Sequence, residues 1–256
     1  MMKAGDDAVM PQVLAHYQLV GPLIEAALAK TPIVFANFPD GLTDPPRYHF
    51  TTVPLSVDKM LWLVHREYAI EFFTWAPALL NVAALHFGRI LLLPALGVDC
   101  QQVKLAALAI RALLFDVAKL EAVPLLDGGT GIALWIPFAD KPQADTLRPW
   151  LHRLCTRAVA LHPDLVPTAF NTHKDGRVHL HVESNASGHY SSVPYGLRAP
   201  ALSVCAPIRW TELASFPSAD SFRRDTIAAR LDDAGDVFAS EVKPTAGQKF
   251  ASVPTI

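Results

Sequence analysis

The stretch PLLDGGTGIALWIPF, residues 124–138, reads as two apolar strands joined by the turn Asp127-Gly128-Gly129-Thr130-Gly131. The glycines invite comparison with a phosphate-cradling loop. No Lys-Ser or Lys-Thr follows them, however, and a strand rather than a helix comes next, so the P-loop pattern fails and a tight β-turn is the preferred reading. Upstream, Ile90 to Leu93 is a short, fully apolar strand. Asp99 then caps a helix with Val103, Ala107, Ile110, Leu114 and Val117 on its buried stripe. Downstream, Leu147, Leu151, Leu154, Ala158 and Leu161 mark the inner face of a second helix. Lys174-Asp175-Gly176 signals a hairpin ahead of a strand from Arg177 to Val182.

The N-terminal third mixes the same two periods. Pro11 opens a helix that continues through Tyr17, is interrupted at Gly21-Pro22 and resumes from Leu23 to Ala29. Ile33 to Phe38 is a strand closed by Pro39-Asp40-Gly41, and Tyr48 to Val53 is another. Ser56 caps a helix running to about Tyr68. The irregular alternation of strands and helices predicts an α/β domain with a sheet core, flanking helices and an N-terminal strand-rich lobe. Residues 10–240 are expected to form this domain, and residues 241–256 a polar, mobile tail.

Composition narrows the function. With 51% hydrophobic and 18% charged residues the chain has ample material for a core. Its net charge of -2 shows none of the basic excess of proteins that hold nucleic acid mainly through phosphates. Cys100, Cys155 and Cys205 are scattered without a CxxC pair, which fits a reducing cytoplasm and excludes a zinc ribbon. Residues 72–98 are very apolar, yet Asn81, His86, Arg89 and two prolines break the run, so two buried core elements are preferred to a membrane span. No GxSxG and no cysteine in a nucleophile context support a hydrolase. The tryptophans and other aromatics read as core rather than as a stacking ladder.

Five segments, in order, carry a resemblance. HYQLVGPLIEAALAKTPIVFANFPDG (residues 16–41) and VPYGLRAPALSVCAPIRWTEL (residues 193–213) bracket the strand 90–93 with Pro94, the glycine turn 128–131, and a strand ending near Asn185. Together they resemble the polymerase domain of bacterial ligase D, in the archaeo-eukaryotic primase superfamily, over nearly the whole chain from Val13 to Val237. The resemblance implies a primase-polymerase fold, a DNA end-joining role and a nucleotidyl transfer that uses magnesium or manganese.

The positions that the resemblance marks as catalytic depart from it. An Asp-x-Asp followed by Pro-Gly is replaced by Leu91 and Leu93, then Pro94 and Ala95. A third metal-binding Asp is replaced by His181, ahead of the retained Asn185. The Ser, Lys and His expected to meet the triphosphate are Asp127, Thr130 and Ala133, and a Lys near Phe50 and a His near Phe73 are missing. Two divalent ions bridged by carboxylates need oxygen ligands that leucine cannot supply.

The expected result is a catalytically inactive relative, with no cofactor, that binds a DNA end, a nucleotide or an end-joining protein. Residual nucleotide or phosphate contacts fall on Arg198, Gly128, Gly129, Thr130 and Asn185. Arg198 reads equally as a phosphate contact or as half of an ion pair with an acid such as Asp127. His173, His179, His181 and His189 read either as metal ligands or as polar residues filling an abandoned site. An active enzyme with relocated metal ligands and a purely structural protein remain the alternatives.

Overall fold

The computed structural model describes residues 9–28, 31–75, 85–168, 176–186 and 188–254. Helix α1 (Met10–Leu28) leads into strands β1 (Pro32–Asn37) and β2 (Arg47–Pro54), helix α2 (Val57–Glu67) and strand β3 (Ala69–Trp75). Next come β4 (Phe87–Pro94), α3 (Cys100–Ala118), β5 (Val123–Leu126), β6 (Ile132–Pro137), α4 (Ala144–Leu161), β7 (Leu165–Thr168) and β8 (Val178–His181). Short strands β9 (Tyr190–Ser192), β10 (Leu197–Arg198), β11 (Ser203–Val204) and β12 (Ala206–Pro207) precede α5 (Ile227–Ala234) and α6 (Val237–Val242).

Two sheets organise these elements. One has the strand order β2-β1-β3-β9; the other, six-stranded, has the order β12-β5-β6-β4-β8-β7. The apolar run at 72–98 is where the chain passes between them, since β3 belongs to the first and β4 to the second. Its central part, including Asn81, lies outside the described residues, and among the described residues no helix is long and apolar enough to cross a membrane.

Alternation along each strand divides the core. Ile90, Leu92, Leu134, Ile136 and Leu180 pack with Val103, Ile110, Leu114, Leu151 and Leu154 of α3 and α4. Helices α1 and α2 cover the far face of the first sheet, where Tyr17 meets Phe72 edge-on at 4.8 Å. The remaining face of each sheet is turned toward a shared cleft.

Several expectations are corrected. Helix α1 runs straight through Gly21-Pro22. Pro22 removes one helix hydrogen bond, but Val13, Tyr17, Val20, Ile24 and Leu28 are all buried on one side, and that burial outweighs the lost bond. Gly21 lies against Val57 and Met60 of α2, where a side chain would be tight. No hairpin joins β7 to β8: the two strands pair in parallel, and Lys174 and Asp175 lie outside the described residues. Leu161, assigned to the buried stripe of α4, is 60% exposed in the last turn of that helix.

Within the segment expected to be a mobile tail, Gln248, Phe250 and Ala251 contact the rest of the domain. The Gln248 amide donates to the Glu121 and Pro137 carbonyls, Asp140 accepts from the Phe250 and Ala251 amides, and Phe250 packs edge-on against Phe138 and Trp150. Its polar composition hides these anchors because single side chains, not a periodic stripe, make the contacts.

His16 on α1 is buried and its Nε2 donates to the Tyr195 carbonyl at 2.8 Å. Burial, only partly offset by that bond and reinforced by the Arg224 charge, lowers its pKa to about 4. The neutral ring is therefore the folded form. Its contribution to stability is complete above the ordinary histidine pKa of about 6.5 and is lost as pH falls toward 4. A His16→Gln variant, which keeps a donor and cannot titrate, is expected to lose several degrees less in melting temperature than the parent between pH 7 and pH 4.5. Parallel losses in the two proteins would show that His16 does not titrate on unfolding.

Candidate functional site

The site grows from the register of β4 between its neighbours. Leu91 pairs with Ala133 of β6 on one side and with His181 of β8 on the other, and Leu93 pairs with His179. The three positions expected to have once held metal therefore lie together on adjacent strands, although 90 residues of chain separate Leu91 from His181. The register is secured beyond the end of β8 by Asn185. Its Oδ1 accepts the Arg89 amide at 2.8 Å, and its Nδ2 donates to the Arg89 carbonyl at 2.6 Å and the Val182 carbonyl at 2.7 Å. Asn185 is wholly buried, so the geometry gives it a structural place rather than the nucleotide contact expected of it.

A cavity of about 180 Å³ sits over Leu91, between the two sheets. Leu91, Asp127, Ala133, Trp135 and His181 line it from the six-stranded side. Phe73, Tyr190, Ser191 and Ser192 line it from the other sheet, and Ser184, Arg198 and Cys205 complete it. The Trp135 indole N–H and the Ser184 hydroxyl are buried there without hydrogen-bond partners among the described residues. Trp135 also carries the buried Arg89 guanidinium over its ring at 4.5 Å.

The loop between β5 and β6 closes over its own side chain. Asp127 Oδ1 accepts the Gly129 amide at 2.7 Å and the Gly131 amide at 2.9 Å. Burial pushes the Asp127 carboxyl above its ordinary range, against the pull of those amides and of Arg198. Gly128 has φ of +77° and faces Arg198 Cγ so closely that any side chain would collide. Gly131 likewise abuts the Leu92 carbonyl and the Leu93 side chain. Gly129 and Thr130 turn to a second cavity, formed with Pro94 to Val98 and Ser218 to Asp220. Of the predicted phosphate contacts, Arg198 thus lines the first cavity, Gly129 and Thr130 the second, and Gly128 and Asn185 are in the lining of neither.

Arg198 has a partner, and it is not Asp127. Its guanidinium lies 3.5 Å from Glu71 of β3, donates to Ser192 Oγ at 2.8 Å and sits over the Phe73 ring at 5.6 Å. Glu71 also accepts the Ala199 amide at 2.7 Å, and burial raises its carboxyl above the usual range despite both partners. Sequence reasoning missed Glu71 because it lies between the helix expected to end near Tyr68 and the apolar run that starts at Phe72, where no strand was expected.

A two-magnesium centre does not fit these residues. Leu91 and Leu93 offer no ligand atoms, and the two carboxylates near the cavity are committed to Arg198 and to loop amides. Among the described residues no cluster of three or more His, Cys, Asp or Glu could hold a metal, and His173 lies outside them.

The aromatics expected to be core include an exposed group. Tyr48 and Phe50 of β2 are 42% and 49% exposed. They form one contiguous cluster with Phe73, Trp75 and Tyr190, with ring centroids 5.0 to 5.8 Å apart. Trp62 on α2 is exposed as well. Alternating residues on β2 and β3, separated by small Val34 and Ala36 on β1, bring these rings to one face.

Arg198→Ala would strand the buried Glu71 carboxylate. The expected cost is about 1–3 kcal/mol at pH 7.5. It should shrink toward pH 5, because burial already raises the Glu71 carboxyl and loss of the arginine, which opposes that shift, would raise it further. Melting temperatures of parent and variant across that range check this. A pH-independent difference would mean that Arg198 acts by packing on Phe73.

Comparison with known proteins agrees with this architecture. The family model described as LigD, primase-polymerase domain, matches residues 49–238. The chain is 31% identical over 148 residues to the multifunctional non-homologous end joining protein LigD of Mycolicibacterium smegmatis. That match covers 57% of this chain and 19% of the relative, so the chain spans about a fifth of the relative's length. The polymerase domain of Mycobacterium tuberculosis ligase D, solved in complex with DNA, superposes with a TM-score of 0.80 at 19% identity, covering 96% of this chain and 93% of that one. With the family matched across most of its length and the fold shared throughout, the chain belongs to the LigD primase-polymerase domain family.

Proposed function

We propose that this domain holds DNA ends in end joining without carrying out nucleotidyl transfer. One observation carries the reading: Leu91, with Leu93 two residues on, faces His181 across β4 and β8, where two-metal transfer would need converging carboxylates. Relocated ligands are disfavoured because Glu71 and Asp127 would each have to abandon existing partners. A purely structural role is disfavoured by the exposed aromatic cluster. Rings on an open sheet face beside Arg198 suit stacking of bases from a single strand or a frayed end. The related polymerase domain solved with DNA supports the same class of ligand. Other end-joining proteins are the protein partners this reading implies.

Purified protein is expected to extend no primer in magnesium or manganese. Restoring Asp at 91, 93 and 181 together should not restore extension, because Thr130 and Ala133 leave the triphosphate without charged contacts. Primer-extension assays on parent and triple variant test this. Extension by the parent that vanishes on mutating one of its own carboxylates would overturn the inactivity, and robust extension by the triple variant would show that the phosphate site is intact.

A duplex with a 5′-phosphate and a short overhang is expected to bind at low salt. The near-neutral net charge predicts a shallow log–log salt slope, below about 3 in magnitude. Phe50→Ala should weaken binding by about 5- to 30-fold, the loss of one stacked base. Fluorescence anisotropy titrations at two salt concentrations decide it: no binding at about 50 mM salt sinks the DNA reading, and an unchanged Phe50→Ala affinity sinks the stacking surface.

A further inference from the structure

We infer that the cavity between the two sheets receives an uncharged nucleobase, and that Asp127 is the residue that turns phosphate away from it. The inference rests on the DNA-end reading above and names what the end would insert.

Size comes first. The cavity holds about 180 Å³, whereas sites that enclose a whole small ligand run to roughly 300–1,000 Å³. The space suits one flat ring system and is too small for a nucleoside triphosphate. Its walls have the matching chemistry. Phe73, Trp135, Tyr190 and Leu91 present apolar and aromatic surface, while Ser184, Ser191, Ser192 and His181 supply a polar edge. Two buried polar groups in this wall, the Trp135 indole N–H and the Ser184 hydroxyl, have no partner among the described residues, and Trp135 is fully buried. A buried donor left unsatisfied is costly, and a base edge carries acceptors that would satisfy it.

Charge argues against phosphate. Adjacent backbone amides in a glycine turn are natural anion donors. Here the Gly129 and Gly131 amides already hold the Asp127 carboxylate, at 2.7 and 2.9 Å. The Arg198 cation is matched by Glu71 at 3.5 Å. An incoming phosphate would meet two acidic groups and no free loop amide of this pair. A route for a base is also present, because Phe73 and Tyr190 belong both to the cavity wall and to the exposed cluster with Tyr48 and Phe50. Unstacking costs least at a frayed end, where a base leaving that stacking face is already next to the opening.

The test titrates the protein with the four deoxynucleosides and, separately, with the four deoxynucleoside triphosphates, with and without magnesium. Calorimetry or ligand-observed NMR gives the affinities. At least one nucleoside is expected to bind with a Kd in the low millimolar range or better, its triphosphate no more than about threefold tighter, and magnesium without effect. Asp127→Ala should raise triphosphate affinity about tenfold or more, with nucleoside affinity unchanged. Ser184→Ala should weaken nucleoside binding and alter the order of preference among bases. Ala133→Leu, which fills the cavity from β6, should abolish it. No nucleoside binding, a triphosphate preference beyond threefold in the parent, or an Asp127→Ala variant without gain would each overturn the inference. Duplex-end titrations on the same samples separate it from the broader reading: ends that bind while nucleosides do not sink the base pocket alone, and nucleosides that bind while ends do not sink the DNA-end function.

Discussion

Everything at the site depends on Asn185 gripping the backbone of β4. A strand pairing that stops at His181 would leave the Arg89 amide and carbonyl without ladder partners. The Asn185 side chain takes both, acting as a piece of backbone where the strand has ended. This fixes the slide of β8 against β4. A shift by one residue would turn His181 and His179 into the helical layer and Leu180 into the cleft. The asparagine is therefore better understood as the clamp that sets which side chains meet than as one of the groups that meet a ligand.

With that register in place, two sheets face each other across a narrow cleft, and their inner faces differ in kind. The six-stranded sheet contributes Leu91, Ala133, Trp135 and His181, mostly apolar and held rigid by α3 and α4 beneath. The smaller sheet contributes Glu71, Phe73 and Ser192, with aromatics spreading from Phe73 to its open edge. Charges in the cleft are neutralised internally, Arg198 by Glu71 and the turn amides by Asp127. A divalent-metal centre needs the opposite arrangement, with carboxylates left free to bind cations. Leu91, Leu93, Asp127 and His181 make one coherent environment of low net charge.

The arrangement also explains why a fold associated with phosphate chemistry is carried by a chain of nearly neutral net charge. On the DNA-end proposal, affinity for nucleic acid comes from stacking on rings more than from neutralising phosphates. Tyr48 and Phe50 are costly to expose in water unless something covers them, and their grouping with Tyr190 and Trp75 makes a continuous surface rather than scattered exposed side chains.

The sequence alone determined the family, many strand and helix positions, and the residue types, Leu91, Leu93 and His181, at the positions that the resemblance marks as metal-binding. These are local facts: turn residues at 127–131, the Asp99 cap, apolar periodicity in α3 and α4, and residue types at motif positions. It also placed Leu91 beside His181, but only through the resemblance. Tertiary structure decided what periodicity cannot carry. The continuity of α1 through Pro22 came from burial against α2. Strand β3 showed no alternation that would mark it, because it is buried on both faces almost throughout, Glu71 included. The docking of Gln248 and Phe250 depends on single contacts with residues 100 or more positions away. The choice of Glu71 rather than Asp127 as the partner of Arg198, and the exposure of Tyr48 and Phe50, follow from which sheet faces which. That is a property of packing between distant segments, and no local pattern in the chain encodes it.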